Sequence, residues 1–120
     1  MPIIGVGTDI VDTRRMRRML EKDERLAERV FTPAELAYSM SKRSKYMSLA
    51  ARFAAKEAVA KALGRSLSWK DVEMLNDDSG RPIVNLYGRA KKVAGSARVH
   101  LSVSHAGDYA SAVAVVEVEG

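Results

Sequence analysis

Cysteine is absent from this 120-residue chain, and aromatic residues are scarce. Without cysteine the chain forms no disulfide and no zinc–thiolate site, and it has no thiol nucleophile. Aromatic residues make up only 6% and are not clustered, which disfavours the stacking surfaces of single-strand nucleic-acid binders. The longest uncharged apolar run, residues 109–116, is too short to span a bilayer. The stretch MPIIGVGTDI has neither a basic leader nor a cleavage site, so we expect a cytoplasmic protein without a membrane partner.

The composition is that of a globular protein, with 47% apolar and 29% charged residues. Its length predicts a single domain over residues 1–120. Basic residues cluster: residues 42–65 hold seven against one acid, and residues 81–98 hold five and no acid. Such clusters favour an anionic partner, either nucleic acid, a phosphorylated small molecule or an acidic protein, although a solvated basic face explains them equally well.

The spacing of apolar residues predicts interleaved helices and strands. Residues 3–11 alternate as a strand, residues 14–30 carry a ragged helical stripe, and Thr32 begins a helix with a capping box. Residues 46–63 form the strongest helix, which is rich in alanine and closed by Gly64. We further expect strands at 72–75 and 83–87, a helix at 89–94, and a hairpin of 99–104 with 109–118 across residues 105–108. Because no regular βαβ rhythm appears, the predicted class is α+β.

The segment Gly5-Val6-Gly7-Thr8-Asp9 begins like a dinucleotide-binding loop, but Ile10 stands where the third glycine belongs. A Rossmann fold is therefore excluded. Asp9 instead shares a strand face with two glycines, so another backbone or a ligand can approach it closely. The simpler alternative is an aspartate that caps a turn.

Glu57 on the long helix has mostly apolar neighbours and needs a partner. Lys61, four residues later, offers an ordinary helical ion pair. The alternative is a divalent cation shared with Asp9, because Mg²⁺ accepts one or two carboxylates and takes its other ligands from water and phosphate. Lys61 and Arg52 would then be phosphate contacts. Of the two histidines, His105 lies where a predicted strand meets its turn and is the candidate to face a ligand, whereas His100 is expected to be structural or solvent-facing.

Four segments, taken together, resemble the bacterial holo-acyl-carrier-protein synthases, a short type of 4′-phosphopantetheinyl transferase, over essentially the whole chain. They are GVGTDIV with Arg15, RFAAKEA through Lys61, Gly80-Arg81-Pro82, and LSVSH ending at His105. The resemblance implies that 4′-phosphopantetheine is transferred from coenzyme A to a serine of an apo-acyl carrier protein, releasing adenosine 3′,5′-bisphosphate. It also implies a role in fatty acid biosynthesis and the single-domain fold of that family, a small antiparallel sheet packed on one long helix.

The resemblance assigns roles to individual residues. Asp9 and Glu57 match the family's Mg²⁺ ligands, and with Lys61 they form the expected catalytic group. The positions that match the coenzyme site are Arg52, Lys61, Gly64, Arg81, Pro82 and His105. We expect Glu57 to take the serine proton, directly or through a bound water. The loop of residues 64–69 is shorter and poorer in glycine than in many members, and Arg65 or Ser66 is expected to replace its phosphate contacts.

Partner surfaces are also implied. Arg15, Lys22 and Arg25 match the basic positions that meet the acidic carrier protein, and their spacing places them on one face of a single helix. The family forms homotrimers with sites between subunits. The pattern of residues 109–118 agrees with a subunit interface. Val113 and Val115 lie on one face of this predicted strand, and the opposite face is equally apolar, so both sides of the strand must be covered. Burial of both faces within one chain is the alternative. A small basic nucleic-acid-binding module is the alternative function.

Overall fold

One long helix, packed across an antiparallel sheet, organises the computed structural model, which describes residues 2–119. The helices are α1 Thr13–Lys22, α2 Glu24–Val30, α3 Pro33–Met40, α4 Lys45–Leu63 and α5 Gly88–Ala94. The strands are β1 Ile3–Asp12, β2 Val72–Asn76, β3 Pro82–Leu86, β4 Arg98–Ala106 and β5 Tyr109–Glu117, and a 3₁₀ turn covers Trp69–Asp71. The α+β class predicted from the sequence is confirmed.

The main sheet has the strand order β1-β5-β4, with both pairings antiparallel. Helix α4 lies unusually close to β1, because Gly5 and Gly7 present no side chain to it. A Cβ added at Gly7 would lie 2.0 Å from the carbonyl oxygen of Ala58, and one added at Gly5 would lie 1.7 Å from that of Ala62. The predicted close approach at the glycine face is therefore made by the backbone of α4.

Small side chains fill the contact between α4 and the sheet. The fully buried residues of α4 and β5 are Ala50, Ala54, Ala55, Ala58, Val59, Ala110, Ala114 and Val116. Alanine allows helix and strand to pack at short range, and it also has the highest helix propensity. Gly64 closes α4 in the left-handed conformation, with a φ of 69°, as the sequence predicted.

The predicted helix over residues 14–30 is in fact two helices, which is a correction. Asp23 separates them, because its backbone is extended and serves both ends at once. Its N–H donates to the carbonyl oxygen of Met19 at the end of α1, and its carboxylate accepts from the N–H of Arg25 at the start of α2. Aspartate competes for backbone hydrogen bonds in this way, and so it favours caps over helix interiors.

The predicted turn at residues 105–108 is shorter than expected. β4 continues through His105, which pairs with Ala110, and Ala106 pairs with Tyr109. Only Gly107 and Asp108 connect the two strands, and Gly107 has a φ of 57°, which glycine adopts without strain. His105 is therefore a strand residue with an exposed side chain and not a turn residue.

A second sheet, β2 with β3, encloses a buried polar cluster against α3 and α4. The Nζ of Lys56 donates to Oε1 of Glu35 at 2.6 Å and to the carbonyl oxygens of Trp69 and Val72 at 2.9 and 2.6 Å. The two charged side chains are 1% and 0% exposed. Burial lowers the pKa of Lys56, and the adjacent Glu35 carboxylate partly offsets this effect.

Glu73 is a further buried carboxylate of this cluster. Its hydrogen-bond donors are the Thr32 hydroxyl, the Asn85 amide and the Tyr87 hydroxyl. Burial acts to raise the pKa of Glu73, but these donors and the nearby Lys56 outweigh it, so that the pKa is lowered. The carboxylate is therefore charged in the folded protein at neutral pH.

The face of the main sheet opposite α4 is open and apolar. We call it the open sheet face and define it by Ile4, Val6, Ile10 and Val113, whose exposures are 58%, 60%, 67% and 37%. On the other face of β5, Ala110, Ala112, Ala114 and Val116 are buried. The expected apolar character of both faces of β5 is therefore observed, and α4 covers only one of them. No helix within residues 2–119 is long and apolar enough to cross a membrane.

Candidate active site

Asp9, Glu57 and Lys61 come together where β1 crosses α4. The Nζ of Lys61 donates to the carbonyl oxygen of Thr8 at 2.9 Å and to Oδ1 of Asp9 at 3.3 Å. Asp9 and Glu57 line the same open cavity, with a volume of about 530 Å³. The close packing at Gly7 brings them there, because it sets the distance between strand and helix.

The ion pair of Lys61 is with Asp9, across two elements, and not with Glu57 along the helix. The Asp9 side chain is 20% exposed and that of Lys61 is 56% exposed, so the attraction contributes about 1 kcal/mol at most. Its consequence is electrostatic: two carboxylates and one ammonium leave the group with one net negative charge. A divalent cation would reverse that sign and so admit an anionic phosphate.

Glu57 is held by Trp69, a residue that the sequence analysis did not single out. The indole Nε1–H donates to Oε1 of Glu57 at 2.8 Å. Twelve residues separate the two, so no helical or strand spacing links them. The only available signal was that the chain's sole tryptophan ends the shortened loop after Gly64.

Two cavities flank Glu57. The one shared with Asp9 is also lined by Arg15, Phe53 and Tyr109. The second, of about 400 Å³, is lined by Lys61, Gly64, Arg65, Ser66 and Trp69 among others. Gly64, Arg65 and Ser66 are thus brought to the site, but the N–H groups of Gly64 and Arg65 already donate to the last carbonyl oxygens of α4, those of Lys61 and Ala60.

Arg52 does not reach either cavity, which corrects its expected contact with phosphate from within this chain. The residue is 2% exposed. Its Nη1 donates to the Ser48 hydroxyl at 3.0 Å, its Nη2 donates to Oδ1 of Asn76, and its guanidinium lies over the ring of Tyr38. Burial lowers the pKa of this guanidinium. The Arg52 guanidinium therefore links α4 to β2 inside the protein.

Arg81, Pro82 and His105 also lie away from Asp9 and Glu57 in this chain. Arg81 donates its N–H to the Asp77 carboxylate at 2.9 Å, in the turn before β3, and Pro82 is the first residue of that strand. His105 lies near the end of β4. None of the three lines the two cavities beside Glu57.

The three basic residues expected to meet a carrier protein are all exposed, although they do not share one helix. Arg15 is on α1 and lines the cavity of Asp9 and Glu57. Lys22 is the last residue of α1, and Arg25 follows the break at Asp23 on α2. The one-helix spacing argument is therefore wrong for Arg25.

The family of this chain is established by comparison with known proteins. The profile of the 4′-phosphopantetheinyl transferase superfamily matches residues 5–114. The chain therefore belongs to that superfamily of enzymes.

Individual relatives are named more narrowly. The chain is 46% identical to the holo-[acyl-carrier-protein] synthase of Moorella thermoacetica, over 96% of this chain and 94% of the relative. Among solved structures, holo-ACP-synthase from Plasmodium yoelii matches with a TM-score of 0.85 and 40% identity, covering 96% of this chain and 94% of that one. A synthase from Bacillus anthracis in complex with CoA (3′,5′-ADP) matches with a TM-score of 0.84 and 35% identity, covering 98% of both chains. The resemblance found in the sequence motifs is confirmed.

Proposed function

We propose that this chain transfers 4′-phosphopantetheine from coenzyme A to a serine hydroxyl of an apo-acyl carrier protein. The serine oxygen forms a bond to the β-phosphorus, the phosphoanhydride bond breaks, and adenosine 3′,5′-bisphosphate leaves. The placement of Asp9 and Glu57 at one cavity, with Lys61 paired to Asp9, carries the proposal. Full-length similarity to proteins named holo-[acyl-carrier-protein] synthase supports it.

The donor set fits Mg²⁺. Asp9 and Glu57 would hold it, because carboxylate oxygens are its preferred protein ligands. Within residues 2–119 no three His, Cys, Asp or Glu side chains gather into a metal site. Two carboxylates are nevertheless sufficient, since Mg²⁺ usually completes its coordination with water and substrate phosphate. When bound, the ion would neutralise phosphate charge and act as a Lewis acid.

Lys61 supplies the remaining positive charge. Its ammonium is anchored to β1 by the Thr8 carbonyl, yet more than half of the side chain is exposed, and the residue lines the second cavity beside Glu57. An ammonium in this position stabilises charge that develops on the leaving phosphate, which is the main requirement of phosphoryl transfer. Glu57 remains the predicted acceptor of the serine proton.

The carrier protein is proposed to approach over α1 and α2. Lys22 and Arg25 are exposed on these helices, and Arg15 of α1 lines the cavity of Asp9 and Glu57. Complementary charge of this kind mainly raises the association rate and is screened by salt.

We further propose a homotrimer whose sites lie between subunits. The open sheet face supports an interface, because exposed apolar residues are contiguous there on two paired strands. A neighbouring subunit would also account for Arg81, Pro82 and His105, which match coenzyme positions but lie away from Glu57 in their own chain.

The assembly is tested by Val113→Glu, with Met40→Glu as the control because Met40 is also exposed, at 57%, and ends α3, outside the main sheet. Light scattering should find monomers only for Val113→Glu, and those monomers should be inactive. A fully active monomer of the unchanged protein would contradict the shared site.

The activity is tested by intact mass. Apo-carrier protein incubated with the enzyme, coenzyme A and Mg²⁺ should gain the mass of one phosphopantetheine, and the gain should disappear with a chelator. An unchanged carrier would contradict the proposal. Membership of a transferase family disfavours the nucleic-acid-binding alternative, while fatty acid biosynthesis and a cytoplasmic location remain predictions.

A further inference from the structure

Trp69 contacts Glu57 through its one polar atom. The indole Nε1–H is a donor only, and a hydrogen bond to a carboxylate is charge-assisted. The bond occupies Oε1 at 2.8 Å. Within residues 2–119 no hydrogen bond reaches Oε2 of the same carboxylate. One oxygen of Glu57 is therefore fixed and the other is left for a ligand.

The main chain of Trp69 is itself anchored from inside the protein. The buried ammonium of Lys56 donates to the Trp69 carbonyl at 2.9 Å and to the Val72 carbonyl at 2.6 Å. Trp69 is the first residue of the 3₁₀ turn and Val72 is the first residue of β2. Lys56 immediately precedes Glu57 on α4. The turn of α4 that carries Glu57 therefore also binds, through Lys56, the main chain of Trp69, whose indole donates to Glu57.

Packing restricts the indole ring as well. Its centroid lies 6.1 Å from that of Phe53, a separation within the range of favourable aromatic pairs, with the planes tilted by 42°. Phe53 lies one helical turn before Glu57 on α4, so ring and carboxylate are held from the same helix. The loop of residues 64–68 is short enough to bring Trp69 back onto that helix.

We propose that Trp69 is the positioning residue of Glu57: its indole N–H orients the carboxylate so that Oε2 faces the divalent cation. The inference rests on the proposed metal role of Glu57. Hydrogen bonds to metal-binding side chains fix their orientation, and the loss of such a bond usually weakens metal affinity about 10–100-fold. We expect a loss of about tenfold here, because the ring is partly exposed.

The test measures metal binding directly. Mn²⁺ is titrated into the protein in the presence of coenzyme A, and the EPR signal of free Mn²⁺ gives the dissociation constant, after correction for coenzyme A alone. Trp69→Phe keeps an aromatic ring against Phe53 but removes the N–H. Its constant should rise about tenfold, whereas its melting temperature should stay near that of the unchanged protein.

A second replacement separates the hydrogen bond from packing. Because Trp69 is the only tryptophan, it can be replaced during expression by benzothienylalanine, in which sulfur takes the place of the N–H. This isostere keeps the volume of the indole and should weaken Mn²⁺ binding as Trp69→Phe does. An isostere that binds Mn²⁺ as tightly as the unchanged protein would overturn the proposal.

Glu57→Gln distinguishes failure of this inference from failure of the proposed function. If the unchanged protein binds Mn²⁺, Glu57→Gln does not, and both Trp69 replacements bind normally, then Glu57 is a ligand and the role of Trp69 is refuted. If Glu57→Gln binds as well as the unchanged protein, or if the unchanged protein does not bind, the metal role of Glu57 fails and this inference fails with it.

Discussion

Replacing Lys56 by methionine should strongly destabilise the folded protein. Methionine keeps most of the side chain's volume but removes the ammonium. Glu35 would then be a carboxylate with 0% exposure and no ion-pair partner, and the carbonyl groups of Trp69 and Val72 would lose the ammonium donor.

The magnitude follows from burial. Breaking a buried ion pair by removing one partner typically costs about 3–5 kcal/mol, because the remaining charge stays in a medium of low polarity. Glu35 retains two backbone donors, the N–H groups of Thr32 and Met74, at 2.9 Å each. Because these two donors still stabilise the carboxylate, we expect the free energy of unfolding to fall by about 3 kcal/mol, the lower end of that range.

The double variant Lys56→Met with Glu35→Gln is the matched control. Glutamine can accept from the same backbone donors without a charge, so the double variant should be more stable than Lys56→Met alone. Urea unfolding at one protein concentration, followed by circular dichroism, gives all three free energies of unfolding. A cost below about 1 kcal/mol for Lys56→Met, or a double variant that is less stable than the single, would refute the reasoning.

Three further predictions concern other parts of the structure. Gly7→Ala should lower the free energy of unfolding in urea by about 3 kcal/mol, since its Cβ would lie 2.0 Å from the Ala58 carbonyl oxygen. The pKa of Glu73 is lowered on folding, so the stability that this carboxylate contributes is complete above its ordinary pKa of 4.5 and is lost as the pH falls through the folded pKa. In Glu73→Gln, the free energy of unfolding should therefore fall less steeply with decreasing pH. Lys22→Glu with Arg25→Glu should raise the KM for the carrier protein while leaving the KM for coenzyme A unchanged, and added salt should reduce the difference in steady-state assays.

Local signals in the sequence predicted much of this architecture. Thr32 begins α3 with the expected capping box, in which its hydroxyl accepts from Glu35 and the Glu35 carboxylate accepts from Thr32. The strand alternation that put Gly5, Gly7 and Asp9 on one face was enough to place Asp9 against α4. Propensity and periodicity work at these positions because neighbours along the chain decide them.

Contacts between residues far apart in the sequence could not be predicted in this way. Arg52 reads as an exposed phosphate ligand, but Ser48, Asn76 and Tyr38 enclose it, and only the packing of β2 against α4 brings Asn76 there. The bond from Trp69 to Glu57 likewise depends on how a loop returns to its helix. The break at Asp23 was misread for a different reason, because a helical stripe continues through it and hides the capping role of one aspartate.

The central claim is that Asp9 and Glu57 act together on one substrate. It is tested most directly by the rate of adenosine 3′,5′-bisphosphate release for Asp9→Asn, Glu57→Gln and the double variant, at limiting Mg²⁺. Each single change should reduce the rate about 100-fold or more, because the loss of an indirect partner of a metal already costs about 10–100-fold. The double variant should be little worse than either single variant, since one change already breaks the shared site. A Glu57→Gln variant with the unchanged rate, or losses that simply multiply in the double variant, would contradict the account.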